Sequence, residues 1–117
     1  MNCTKFFGLI MMSAFTISTQ AQDCWQKVDN QQFTPVYTGE VVHADIDNDG
    51  DQDVLITGSS GINVGSTKLY TNDGSGNFTE VSGTPFEPIE HSSATFADVD
   101  GDNDQDVIII GAKAGVT

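Results

Sequence analysis

The chain has no arginine and only four lysines, set against 17 aspartates and glutamates, for a formal net charge of −13. A surface of that sign repels phosphate backbones and anionic lipid, which excludes a nucleic-acid partner and leaves cations as the natural ones. Cysteine is almost absent: Cys3 and Cys24 are too few for a disulfide-stapled scaffold. After residue 21 no window of eleven or more residues keeps a helical apolar period, and no apolar run approaches the ~20 residues that span a bilayer. Catalytic patterns are missing as well. There is no Gly-x-Ser-x-Gly elbow, and His43 and His91 have no evident nucleophile partner. Gly58 to Ser66 is rich in glycine and serine but lacks the lysine and the strand-to-helix setting of a phosphate loop, so it reads as a flexible connection between strands. The chain is expected not to be an enzyme.

The first 21 residues have the layout of an export signal. Lys5 and the α-amino group give a basic start, Phe6 to Ile17 is mostly apolar, and Thr19-Gln20-Ala21 ends in a small residue suited to cleavage. Residues 22–117 would then be the exported, secreted or surface-held part, with no membrane insertion once the signal is gone. Cys24 would be its single cysteine, so no internal disulfide is expected.

With 38% apolar residues and 12 glycines, the composition suits short strands separated by many turns. A shift of 53 residues aligns the chain with itself without a gap: Ala44 to Gly58 falls on Ala97 to Gly111, and ten of these fifteen positions are identical. Upstream, Phe33-Thr34-Pro35-Val36 meets Phe86-Glu87-Pro88-Ile89, and Trp25 to Val28 meets Phe78 to Val81. One copy occupies residues 25–77. A second begins at 78 and stops at Thr117, about where the match to Lys68 to Asn72 should start, so the chain is expected to be truncated. Val41 to Asp45 and Ala94 to Asp98 read as strands entering an acidic loop, and Val54 to Thr57 and Val107 to Ile110 as apolar strands leaving it. Lys68 to Asn72 is a third strand, Asp73 to Asn77 a tight turn, and Phe78 to Val81 the strand after it. Four strands per unit of about 50 residues is the arithmetic of a β-propeller. With outer faces open, strands Val54 to Thr57 and Val107 to Ile110 are expected to present apolar faces and unpaired edges.

Ten of the 17 acids sit in two nine-residue stretches, Asp45 to Asp53 and Asp98 to Asp106. In each, carboxylates stand at positions 1, 3 and 5, a sharp turn at 6 lets position 7 offer its carbonyl, and position 9 closes the shell. Hard oxygen donors in that number suit Ca²⁺ better than a transition metal, which would want His or Cys. The EF-hand and dockerin loops start alike but need a carboxylate at position 12, where Ile56 and Ile109 stand. Carboxylates this dense belong on a cation rather than around a sugar, where one of a glycosidase pair must stay protonated. His43, aligned with Phe96, reads as a packed residue of its strand, and His91 as surface.

A D-x-D-x-D-G-x-x-D loop running into an apolar strand, followed by Lys68-Leu69-Tyr70-Thr71-Asn72-Asp73-Gly74-Ser75-Gly76-Asn77-Phe78-Thr79-Glu80-Val81, resembles the FG-GAP/VCBS repeats of integrin-α-like propellers. The resemblance covers about residues 25–117. It implies a secreted or cell-surface β-propeller of four-stranded antiparallel blades whose loops each join the first two strands of a blade and hold one Ca²⁺, about two ions here. Carried over, the side-chain ligands are Asp45, Asp47, Asp49 and Asp53 with the Asp51 carbonyl, and Asp98, Asp100, Asp102 and Asp106 with the Asp104 carbonyl. Gly50 becomes Asn103 in the second copy, a residue that tolerates the left-handed region at some strain. The implied role is a non-catalytic adhesion or recognition module for an extracellular protein or glycan, completed by the missing blades; the alternative is an accessory domain of a larger secreted enzyme.

Overall fold

The computed structural model describes residues 33–115, all-β with six strands and no helix. The signal segment, Cys24 and the Trp25 to Val28 strand lie outside the described residues. No described helix is long and apolar enough to cross a membrane.

Four strands, β1 (Tyr37–Ala44), β2 (Asp53–Gly61), β3 (Val64–Asn72) and β4 (Phe78–Glu80), make one antiparallel sheet in sequence order. β5 (Ile89–Ala97) and β6 (Asp106–Lys113) form a separate antiparallel hairpin. The Phe78 to Val81 segment does pair with Lys68 to Asn72: Glu80 faces Tyr70, Phe78 faces Asn72, and the Val81 N–H reaches the Leu69 carbonyl at 2.9 Å. The described strands close no ring.

The 53-residue period is a period of structure. Ala44 pairs with Asp53 as Ala97 does with Asp106, and Glu40 with Thr57 as Ser93 does with Ile110. The irregularities repeat too. An extra residue bulges between Tyr37 and Glu40 and again between Glu90 and Ser93, and in each bulge one non-glycine residue is left-handed, Thr38 at φ 51° and His91 at φ 47°. Thr38 is held there by its hydroxyl, 3.2 Å from that of Ser59.

The strands are longer than their apolar runs, and the expected flexible connection at Gly58 to Ser66 is paired strand. Gly58 faces Ser66, Ser59 faces Gly65, and only Ile62 and Asn63 turn the chain, with Asn63 at φ 57°. The small residues mark close backbone approaches, not slack. A Cβ on Gly58 would come within 2.9 Å of the Gly39 Cα, and one on Gly65 within 2.6 Å of the Ile89 nitrogen, where β3 passes the entry to β5.

Side chains alternate across each strand, so Val42, Leu55 and Leu69 share one face of the four-stranded sheet. That face packs on the hairpin, meeting Ala94, Phe96, Val107 and Ile109, with Val81 and Phe86 at the margin. Leu55 is fully buried, worth about 1.5–3 kcal/mol for a side chain of its size. The expectation of an exposed, open-edged Val54 to Thr57 strand is therefore wrong: β2 is flanked on both edges and covered by the second copy. It holds for β6, whose Ile108 and Ile110, the equivalents of Leu55 and Thr57, are 45% and 69% exposed. β6 is accordingly not buried on both faces.

Glu40 fastens the two copies. Its carboxylate accepts hydrogen bonds from the Ser93 hydroxyl and, at 2.8 Å, from the Ala94 N–H, and a third bond joins the buried Ser92 and Thr57 hydroxyls at 2.7 Å. The Ser93 bond, then the Ala94 bond, hold the Glu40 carboxyl below its ordinary value of 4.5. A carboxyl lowered in the folded state stabilises above its unfolded pKa and loses that contribution as pH falls through the folded one. The stability gap between the wild type and Glu40→Gln, followed by thermal melting in metal-free buffer, is expected to be widest near neutrality and to narrow below about pH 4.5.

Candidate metal centre

Each acidic stretch is the turn between paired strands, β1 to β2 in the first copy and β5 to β6 in the second. Backbone N–H groups fold the loops around their own carboxylates in the same way. Asp45 accepts from the N–H of Asp49 and of Gly50 (3.0 and 2.9 Å), and Asp98 from those of Asp102 and Asn103 (3.1 and 3.0 Å). Asp49 accepts from the Asp51 N–H, as Asp102 does from Asp104, both at 2.9 Å. The ninth-position carboxylate reaches back to the loop entry: Asp53 accepts from the Ile46 N–H and Asp106 from that of Val99, both at 3.0 Å.

Two left-handed residues let each loop close, and the copies supply them in opposite order. The first has Asn48 at φ 59° and Gly50 at φ 94°, the second Gly101 at φ 83° and Asn103 at φ 73°. Asn103 thus takes the conformation expected of it, and each loop carries one asparagine there.

The loops gather their acids differently. Oxygens of Asp45, Asp47 and Asp49 lie within 4.8 Å of one another, whereas in the second loop the group is Asp98, Asp100 and Asp106. Asp53 and Asp102, also named as side-chain ligands, are not in these groups. β3 accounts for the position of Asp53: its second oxygen accepts the Asn72 N–H at 2.9 Å, and the residue is fully buried. Among the described residues no strand stands beside β6 to do the same for Asp106, which is half-buried and joins the cluster. Asp51 and Asp104 are not members of these clusters. The Asp51 carboxylate lies against Gly74, and that of Asp104 accepts from Asn48 at 3.5 Å, a tie between the two loops.

Nothing cationic among the described residues offsets this charge. Lys68 is 2.9 Å from Glu80, and Lys113 2.9 Å from Glu87. The carboxyl of Asp47 is raised above its ordinary value, first by lost hydration and then by repulsion from Asp49, Asp53 and Asp45. Crowded oxygen donors, ordered by backbone N–H groups and lacking a counter-ion, fit a hard divalent cation. His43 is not the packed residue expected; it is exposed, its Nδ1 3.0 Å from Gln52 Oε1 at the loop mouth. His91 is on the surface, as expected.

The sequence profile of the FG-GAP-like repeat matches residues 45–109, from the first acid of the first loop into β6, more than half of the chain. The chain belongs to the FG-GAP-like repeat family. No curated protein and no solved structure matches it. Within this FG-GAP-like pair, reading the sequence missed Asn72, whose backbone N–H holds Asp53, and Asn48, which ties the loops together. The Asn72 bond carries no side-chain signal. Asn48 had one, since it replaces Gly101 of the other copy.

Truncating a buried carboxylate strands the N–H groups it satisfied. In metal-free buffer, Asp53→Ala is expected to cost about 3 kcal/mol and Asp106→Ala about 1 kcal/mol, because the first loses two backbone bonds in the interior and the second one at the surface. Chemical denaturation of the two variants side by side measures the difference.

Proposed function

We propose that this chain is a calcium-stabilised segment of a β-propeller from an exported protein, serving as a non-catalytic adhesion or recognition module at the cell surface or beyond it. One observation carries the reading: two acidic loops, 53 residues apart, fold with matching hydrogen bonds and each converges three carboxylates where, among the described residues, no cationic side chain balances them. Asp45, Asp47, Asp49 and Asp53 with the Asp51 carbonyl would hold one Ca²⁺. Asp98, Asp100, Asp102 and Asp106 with the Asp104 carbonyl would hold the other. The ion supplies charge neutralisation and a fixed loop, not bond-breaking chemistry. The four-stranded sheet has the form of one blade, and packing the face of one unit on the opposite face of the next is how blades build a ring.

Extracellular modules bind Ca²⁺ with Kd of roughly 0.1–1 mM, so at about 1 mM Ca²⁺ each site would add on the order of 0.4–1.4 kcal/mol of stability. Calorimetric titration is expected to show about two equivalents, falling by about one in Asp47→Ala or in Asp100→Ala, with a rise in melting temperature that EDTA reverses. A folded protein with neither heat nor melting shift would refute the reading.

A further inference from the structure

The seventh position of the first acidic loop differs in kind from the other four. It offers a main-chain carbonyl, which no side chain can aim; only the orientation of the peptide between Asp51 and Gln52 does. Both flanking peptides are held. On one side the Asp51 N–H donates to Asp49 at 2.9 Å. On the other, the Gln52 carbonyl accepts from the Asn72 side-chain amide at 3.2 Å, and Asp53 accepts from the Asn72 N–H at 2.9 Å. The Asp51 carboxylate itself lies against Gly74, in the turn between β3 and β4. That turn is organised from within. The Asn72 side-chain oxygen accepts from the N–H groups of Gly74 and Gly76, both at 3.2 Å, and the Asp73 carboxylate from those of Ser75 and Asn77 at 2.9 and 3.1 Å. Gly74 stands at φ 74°, and a Cβ there would run into the Asp51 carboxylate.

We infer that the turn between β3 and β4, through Asn72 and Gly74, is a positioning element of the first cation site: it fixes the peptide whose carbonyl Asp51 offers, without supplying a ligand. Asn72 joins the two parts, because one side chain donates to the loop and accepts from the turn. Gly74 lets them approach, because it has no side chain to keep Asp51 away. The inference rests on the calcium reading of the loop and adds to it residues outside the acidic motif. Loss of a group that orients a ligand typically weakens metal binding by about 10–100-fold.

Calcium titration of the full chain, followed by the amide resonances of Gly50 and Gly101, reads the two loops separately, since these N–H groups donate to Asp45 and Asp98 at 2.9 and 2.7 Å. Gly74→Ala is compared with Gly83→Ala. Gly83 has φ 75°, and a Cβ there would meet no described atom within 4 Å, so both variants carry the same left-handed strain and only one touches the loop. Gly74→Ala is expected to weaken calcium binding at Gly50 about tenfold and to leave Gly101 unchanged, while Gly83→Ala changes neither. Asn72→Ala keeps its backbone N–H and loses its side-chain ties; it is expected to act as Gly74→Ala does, and decides the matter if the glycine variant does not fold. Wild-type affinity at Gly50 in these variants, equal losses from Gly74→Ala and Gly83→Ala, or equal losses at both loops would each overturn the inference and leave the calcium reading standing. No response to calcium at either glycine of the folded wild type would overturn both.

Discussion

A four-stranded sheet with Val42, Leu55 and Leu69 on one face cannot leave that face in water, and the arrangement of the second copy follows from this. The hairpin of β5 and β6 covers it with Ala94, Phe96, Val107 and Ile109, which belong to the opposite face of the repeat. Because the copies use opposite faces of one pattern, both faces of the shared sequence must be apolar, and the runs Val54 to Ile56 and Val107 to Ile110 are. Stability in such an array comes as much from the seam between units as from either unit. Glu40, Ser92 and Thr57 add polar bonds at that seam, so the hairpin is held in one register rather than merely attracted.

The acidic loops sit at the turn ends of the paired strands. Backbone N–H groups bring the carboxylates together, and the cost shows in Asp47, whose carboxyl is pushed toward its neutral form. The two loops are nevertheless not equivalent. Asp53 is fixed by β3 through Asn72, while among the described residues Asp106 is held by the Val99 N–H of its own loop. A neighbouring strand therefore enters the geometry of a candidate metal centre without contributing a ligand to it.

The repeat, the strand order and the loop register were legible because the identities fall at a fixed interval and carboxylates alternate with a period that strands and turns preserve. The extent of the strands was not. Gly58 to Ser66 has the composition of a loop, and only the approach of Gly39 and Ile89 to its glycines reveals paired backbone there. His43 was misread for a related reason: its alignment with Phe96 identified the face correctly, but Phe96 is covered by the other copy and nothing comparable among the described residues lies over His43. Contacts between the sheet and the hairpin, such as Glu40 with Ser93, depend on how two units stack, which no local pattern encodes.

Glu40 and Ser93 occupy the same position in their respective copies, a carboxylate in one and a hydroxyl in the other. The clasp they form is therefore polar in the directional sense, a plug on the leading unit and a socket on the trailing one. Two identical units could not make it: two glutamates would repel, and two serines could offer at most a hydroxyl bond. The copies share a backbone yet are not interchangeable parts, since the carboxylate must stand on the unit opposite the Ala94 N–H that it accepts from.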